Sequence, residues 1–308
     1  MTDKQRVLFI GSKQLGLQIV QEMYSLSPDT LAGILTIDDS SDTRSVLDDI
    51  KSFSAEKDLP LYIASDRNES ENIIRSIGPD LCLVVGWYWL ISQETLSSVP
   101  GGFIGIHNSL LPKYRGGSPL VWAMINGETD VGFSLFTLGE EMDAGDIWAQ
   151  ESVTVEPDDT IADVMGKLEV KSLEAIRKTY LSILEGSAKA KRQDHNKATW
   201  CKQRFPEDGV IDWKMSSLDV HNFIRAQSTP YPGAFTCADG VQVKIWLTAL
   251  CEGSDEGLPG QLVRKGEEEI FVICGDNQLL KLKEVELGGE KGDAARILQS
   301  KHKRFTEG

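Results

Sequence analysis

His107 is the residue of this chain whose type and position could do chemistry. His107 ends the apolar run "FIGIH" and is followed by "NSLLP", which stops a strand, and by the loop "KYRGGSP". A strand alternates its side chains, so Gly105, His107 and Ser109 are expected on one side, with Ile106 and Asn108 on the other. At the carboxyl end of a strand, a histidine stands where open α/β sheets hold their ligands. An imidazole there can donate a hydrogen bond or move a proton near neutral pH. A core histidine satisfied by backbone would occupy the same position.

The elements needed to position this residue alternate along the chain. "RVLFIGSKQLGLQIVQEM" reads as a buried strand, a glycine turn at Gly11 and an amphipathic helix. Strand and helix patterns then repeat through "LAGILTID", "TRSVLDDIKSFSAEKD", "LPLYIA", "NESENIIRSIG" and "DLCLVVGW". Strands that are apolar on both faces and alternate with helices predict a mostly parallel, Rossmann-like sheet covered on two sides. "GFIGIH", "DVGFSLFTL" and "DIWAQESVTV" follow, and a long helical run from about Ile161 to Leu184 closes a first domain over residues 1–185. Residues 186–204 are polar, locally basic and aperiodic, which suits a linker. Residues 205–308 change texture: short β-rich stretches are separated by "DG", "KGEEE" and "GDN" turns, the pattern of hairpins in a small barrel.

Composition narrows the function. The net charge is −15 across 308 residues, the wrong sign for a protein whose main task is neutralising phosphates. No stretch approaches the roughly 18 apolar residues of a membrane span, and the polar start lacks a leader-like apolar segment, so a cytoplasmic protein with no membrane partner is expected. The five cysteines are scattered without a C-x-x-C pair, and the four histidines show no ligand spacing, so no metal is expected. Gly11 and Gly16 hint at a dinucleotide turn, and Asp38 stands near the end of the second strand. The third glycine is missing, and Ser12 and Leu15 depart from the fingerprint, which disfavours a nicotinamide cofactor.

The stretches "GIHNSLLPKYRGGSPLVWAMINGE" and "GFSLFTLGEEMDAGDIWAQ" resemble the 10-formyltetrahydrofolate-dependent formyltransferase family, whose hallmark is an N-x-H-x-S-L-L-P segment followed by a D-x-G segment. "DGVIDW" and "IRAQSTPYPGAF" resemble the C-terminal module of the methionyl-tRNA and amino-sugar formyltransferases. The resemblance implies a Rossmann-like domain joined to a smaller OB-like barrel, with 10-formyltetrahydrofolate as co-substrate and no metal. It implies His107 and Asp143 as the catalytic histidine and aspartate. The chemistry is consistent with those roles. Moving a formyl group from a folate nitrogen to an amine passes through a tetrahedral oxyanion, which needs a hydrogen-bond donor, and the incoming amine must lose a proton. His107 can donate to the oxyanion, and Asp143 can hold the histidine and accept the amine proton directly or through a water.

One position departs from the family. Gly105 stands where the family has a catalytic asparagine, two residues before the histidine. Gly105 is expected to leave open space on that face of the strand, and Asn108, reached by a local twist, is the first candidate to supply the missing donor. The resemblance further implies that two loops wrap the pterin ring, one carrying Trp87, Trp89, Leu90 and Ile91 and the other Leu138, Glu141 and Met142. Aromatic side chains beside a flat heterocycle are physically sensible, although tryptophans also serve as core.

The acceptor amine belongs either to a nucleotide-linked amino sugar or to initiator methionyl-tRNA. From Phe205 onward there are 12 Lys and Arg against 17 Asp and Glu, a balance of −5 in the module that would grip RNA. That disfavours tRNA and favours the sugar. A reading of another class, a folate- or nucleotide-sugar-binding protein of the same fold with weakened turnover, is opposed by the presence of both His107 and Asp143. A homodimer is compatible with either reading.

Overall fold

In the computed structural model, which describes residues 5–298 and 303–306, the alternating apolar runs become a seven-stranded sheet. The elements are β1 (Val7–Gly11), α1 (Lys13–Leu26), β2 (Leu31–Ile37), α2 (Leu47–Lys57), β3 (Leu61–Ala64), α3 (Arg67–Ile77), β4 (Leu81–Val85), α4 (Gln93–Ser98) and β5 (Phe103–His107). After them come the two-residue strand β6 (Arg115–Gly116), α5 (Pro119–Ile125), β7 (Asp130–Leu138), β8 (Ile147–Thr154), α6 (Ile161–Leu184) and a second two-residue strand, β9 (Trp200–Cys201). The order in the large sheet is β3-β2-β1-β4-β5-β7-β8, parallel as far as β5, with β7 running antiparallel to β5.

The near-continuous apolar strands are explained by burial on both faces. In β1, Val7 and Phe9 pack into one cluster with Val20, Ile34, Leu83 and Tyr180, while Leu8 and Ile10 pack into another with Leu35, Ile74, Cys82 and Phe103. Two covered faces leave no polar side for alternation to mark. Gly11 is dictated by the approach of β1 to β4: a β-carbon there would lie 2.1 Å from the Val85 carbonyl oxygen.

The chain divides into two compact units. The first comprises the residues up to Gly116 together with Gly132–Ser152 and Lys167–Trp200; the second comprises Gly117–Val131, Val153–Gly166 and the chain from Cys201 onward. The polar segment after α6 belongs to the first unit, where the Lys191 and Ile147 backbones exchange two 2.8 Å hydrogen bonds.

In the second unit, α7 (Ser217–Arg225) precedes β10 (Ala234–Ala238), β11 (Val241–Ser254), β12 (Leu262–Lys265), β13 (Glu269–Ile273), β14 (Gln278–Leu287), β15 (Glu290–Asp293) and the short α8 (Ala294–Ile297). The antiparallel order is β10-β11-β14-β13-β12, with β15 on β14. The chain at 303–306 then lies between the two edges. Thr306 and Cys237 of β10 exchange backbone hydrogen bonds, and on the other side Leu262 N donates to Lys303 O and Phe305 N to Gly260 O. A sheet whose first and last strands share one segment closes on itself as a barrel. Phe305, 1% exposed, stacks on Trp213 inside it. The α/β sheet followed by a small β-barrel is therefore the architecture the sequence predicts.

Candidate active site

His107 is the last residue of β5, as the sequence pattern requires, and is 9% exposed. Its Nε2 lies 2.7 Å from the Tyr114 carbonyl oxygen. A carbonyl only accepts, so Nε2 carries the proton and the other ring nitrogen, Nδ1, is left for chemistry. Nδ1 lies 3.6 Å from Asp143 Oδ2. The two residues singled out from the sequence are therefore neighbours, although 36 positions separate them.

The turn after β5 is held from several sides. Ser109 Oγ donates to Lys113 O (2.7 Å), and Ser134 Oγ, from β7 and fully buried, donates to Ser109 O (2.7 Å) while accepting from Leu111 N (3.1 Å). Gln150 of β8 donates to Ser134 Oγ and to Leu111 O. Buried Leu111 supplies the apolar anchor. The "SLLP" segment thus fixes the path of backbone that delivers the Tyr114 carbonyl to the histidine.

Asp143 sits in the left-handed region, at φ 52°, and its Oδ2 accepts from Gly116 N at 2.8 Å. The glycine of the D-x-G segment has a packing cause. A β-carbon on Gly145 would lie 1.9 Å from the Thr137 carbonyl oxygen, so no other residue lets this loop lie against β7.

A model of the family described as "Formyl transferase" matches residues 27–179, and one for "Formyl transferase, C-terminal domain" matches residues 204–302. The methionyl-tRNA formyltransferase of Geobacter sulfurreducens is 31% identical over 291 residues, which is 93% of this chain and 90% of that protein. The chain belongs to the formyl transferase family. Among solved structures, an N-formyltransferase from Helicobacter canadensis in complex with folinic acid and dTDP-3-aminofucose aligns with a TM-score of 0.69 at 16% identity, over 90% of this chain and 98% of that one. HypX from Aquifex aeolicus in complex with tetrahydrofolic acid aligns with a TM-score of 0.63 at 19% identity over 96% of this chain. The present chain spans about half, 47%, of the HypX chain.

Within this formyl transferase, the expectation of open space at Gly105 is corrected. A β-carbon there would lie 2.7 Å from Leu138 Cδ1 and 3.4 Å from Leu138 Cγ. The volume vacated by the absent asparagine side chain is filled by a leucine from β7. Asn108 lies past the end of β5 and is half-buried, so strand alternation no longer fixes its direction.

The residues of the two loops are placed in different ways. Trp87 and Trp89 contact each other edge to face at 5.2 Å, and with Ile91 and Leu138 they are half-buried against the cluster of Leu8, Ile10 and Val84. Leu90 is 70% exposed and Met142 48%. Glu141 is exposed and lies 3.4 Å from Arg115. The first loop is anchored at both ends. Ser12 Oγ donates to Gly86 O, and Glu71 Oε1 and Oε2 accept from Ser92 N (2.9 Å) and Ser92 Oγ (2.6 Å). Burial pushes the Glu71 carboxyl up, but the donors from Ser92, Arg67 and Thr95 outweigh it and hold the group at about 2. Behind this loop the first βα turn is filled by Lys13, whose ammonium lies 2.6 Å from Asp39 and 2.9 Å from Asp42.

Sequence reasoning passed over Tyr114, Gly116, Arg115 and Gln193. The first two act through backbone groups, which residue identity does not reveal. Arg115 carries a signal that was available, an arginine between the histidine segment and a Gly-Gly pair, and it is 1% exposed. Among the described residues no group of three or more His, Cys, Asp or Glu is arranged to hold a metal, and no helix is long and apolar enough to cross a membrane.

Proposed function

We propose that this formyl transferase moves the formyl group of 10-formyltetrahydrofolate onto the primary amine of a nucleotide-linked amino sugar. The observation that carries the chemistry is the approach of His107 Nδ1 to Asp143 Oδ2 with Nε2 already committed to Tyr114 O. The folate supplies an activated formyl carbon. Asp143 takes the proton of the incoming amine, directly or through a water between it and Nδ1. The imidazole, protonated at Nδ1, presents that N–H to the oxyanion that forms as the amine nitrogen bonds to the formyl carbon; collapse of the oxyanion breaks the bond from that carbon to the folate nitrogen, and the proton taken from the amine passes to that nitrogen as tetrahydrofolate leaves. Asn108 is the second donor in this reading. The half-buried Trp87 and Trp89, with Leu90, Ile91, Leu138, Glu141 and Met142, would take the pterin, and the apolar, edge-on character of the tryptophan pair fits a flat heterocycle. We assign catalysis to residues 1–185, the connection to 186–204 and a supporting role to the barrel at 205–308.

The choice of a sugar amine rests on charge. The −5 balance from Phe205 onward is unsuited to an RNA backbone. The fold shared with the Helicobacter canadensis enzyme, whose complex holds a nucleotide-linked amino sugar, supports the same choice. Initiator methionyl-tRNA is the second reading, favoured by the 31% identity to a methionyl-tRNA formyltransferase across nearly all of both chains. The deciding experiment supplies 10-formyltetrahydrofolate with either dTDP- or UDP-linked amino sugars or charged initiator tRNA, and follows tetrahydrofolate release. Turnover with a sugar nucleotide supports the proposal, turnover with tRNA alone replaces it with the second reading, and tight folate binding without turnover on any amine would leave a binding protein.

A further inference from the structure

Gln193, in the polar segment between α6 and β9, is only 5% exposed. Its side-chain amide nitrogen donates to the carbonyl oxygens of Asp143 (2.9 Å) and Gly145 (2.7 Å), so both amide hydrogens are used on the loop that carries the aspartate. Its Oε1 accepts from Arg115 Nη2 at 2.8 Å. Arg115 lies between the two backbone groups that orient the catalytic pair: Tyr114 O receives the proton on His107 Nε2, and Gly116 N donates to Asp143 Oδ2. One side chain therefore ties the loop of the aspartate to the strand that aims both the histidine and the aspartate. Such a tie helps to hold Asp143, because the left-handed conformation is disfavoured for a residue with a β-carbon and persists where its surroundings impose it.

We propose that Gln193 is a positioning residue of the formyl-transfer site, acting through Asp143. The proposal rests on the reading of His107 and Asp143 as the catalytic pair. An amide is the group required. Two carbonyls on one side demand two N–H donors, and a buried guanidinium on the other demands an acceptor. Only a carboxamide offers both from one side chain. Glutamate at this position would keep the acceptor for Arg115 and turn a carboxylate toward two carbonyl oxygens, so the loop must shift without loss of the arginine's partner.

The test is a double-mutant cycle between Gln193→Glu and Asp143→Asn, read as steady-state release of tetrahydrofolate from 10-formyltetrahydrofolate with a dTDP- or UDP-linked amino sugar or charged initiator tRNA as acceptor, whichever the unaltered enzyme formylates. Gln193→Glu is expected to lower kcat by roughly tenfold to a hundredfold, the usual penalty for a catalytic group displaced by about 1 Å, with KM for the folate little changed. In the Asp143→Asn background the same change is expected to cost nothing further, because the group it positions is gone. Gln193→Met, which keeps the chain length and removes the amide, passes through the same cycle, so a folding defect in one variant leaves the other to decide. Losses that multiply in the double variant, or an unchanged kcat in a folded Gln193 variant, overturn the positioning role while leaving the catalytic pair intact. An unchanged rate in Asp143→Asn alone overturns the catalytic reading, and the proposal with it.

Discussion

Leu138 Cδ1 stands 2.7 Å from where a β-carbon on Gly105 would be, so the absence of a side chain on β5 and the presence of a leucine on β7 form a matched pair. The exchange is local. Gly105 lies two residues before His107 on the same strand, and Leu138 is the register partner of Phe103, on the strand antiparallel to it.

Restoring the family's asparagine alone is therefore not expected to raise the rate. Gly105→Asn must displace the Leu138 methyl, the movable end of a half-buried side chain, and should cost about 1 kcal/mol of stability, seen in thermal or urea unfolding. The double variant Gly105→Asn/Leu138→Ala has the room that the single one lacks. It should show faster formyl transfer than Leu138→Ala alone, by roughly tenfold or more if the amide reaches the oxyanion. Equal rates in those two variants would show that the amide at 105 is not directed at the carbonyl.

His107→Ala and Asp143→Asn should each reduce formyl transfer at least a hundredfold, on the scale of a lost acid–base or oxyanion group. His107→Ala should also lose about 0.5–1.5 kcal/mol, because the hydrogen bond from the imidazole to the Tyr114 carbonyl is removed. Asn108→Ala should fall a hundredfold to a thousandfold if Asn108 has taken over the missing donor. A near-normal rate in Asn108→Ala would remove that residue from the mechanism. Initial rates on refolding-competent, monodisperse protein give the comparison.

Glu71→Leu should destabilise the chain by on the order of 2–3 kcal/mol at neutral pH, since it strands the donors of Ser92, Thr95 and Arg67. The folded carboxyl is held at about 2 against an ordinary 4.5. Its folded value lies below the unfolded one, so the unfolded state binds the proton first on acidification. The stabilisation is full above pH 4.5 and is lost as the pH falls toward 2. Melting curves of the two proteins should accordingly be well separated at pH 7 and converge at the acid end. Because Ser92 closes the loop of Trp87, Trp89, Leu90 and Ile91, the variant should also raise KM for the folate.

His221 offers a second pH test, in the barrel unit. Its imidazole is buried, with Nδ1 2.8 Å from Thr248 Oγ1 and Nε2 3.1 Å from Pro157 O. Burial pushes its pKa below the ordinary 6.5; the Pro157 carbonyl and Asp158 oppose the shift, and the charges of Arg225 and Lys283 add to it. The unfolded state again takes the proton first. Stability from this group is complete above pH 6.5 and declines as the pH drops below that value. Unfolding midpoints between pH 7.5 and 5 should fall less in His221→Gln than in the parent. A parallel decline in the two proteins would exclude His221 as the source.

What the sequence determined by itself is the part that residue type and period carry. Runs such as "RVLFIG" and "DLCLVVG" are apolar throughout because both faces of a parallel sheet are covered, and that alone predicts the α/β fold. His107 and Asp143 were legible through the resemblance carried by their segments; residue type and position alone suited a core histidine and a turn aspartate equally well. The glycines are a middle case. Gly145 could be seen in the sequence, but its cause, the Thr137 carbonyl 1.9 Å from its missing β-carbon, could not. What the tertiary structure decided lies in contacts between residues far apart in the chain. Leu138 filling the place beside Gly105 depends on the register of β5 against β7, and the Tyr114 carbonyl that sets the histidine tautomer depends on the path of a turn. The segment around Gln193 has no period because it forms no regular element. Its amide meets Asp143, 50 residues away, through side-chain and backbone geometry alone. Local periodicity records which face of an element is buried, whereas hydrogen bonds to backbone carbonyls and the space left by a missing side chain exist only once distant strands are brought together.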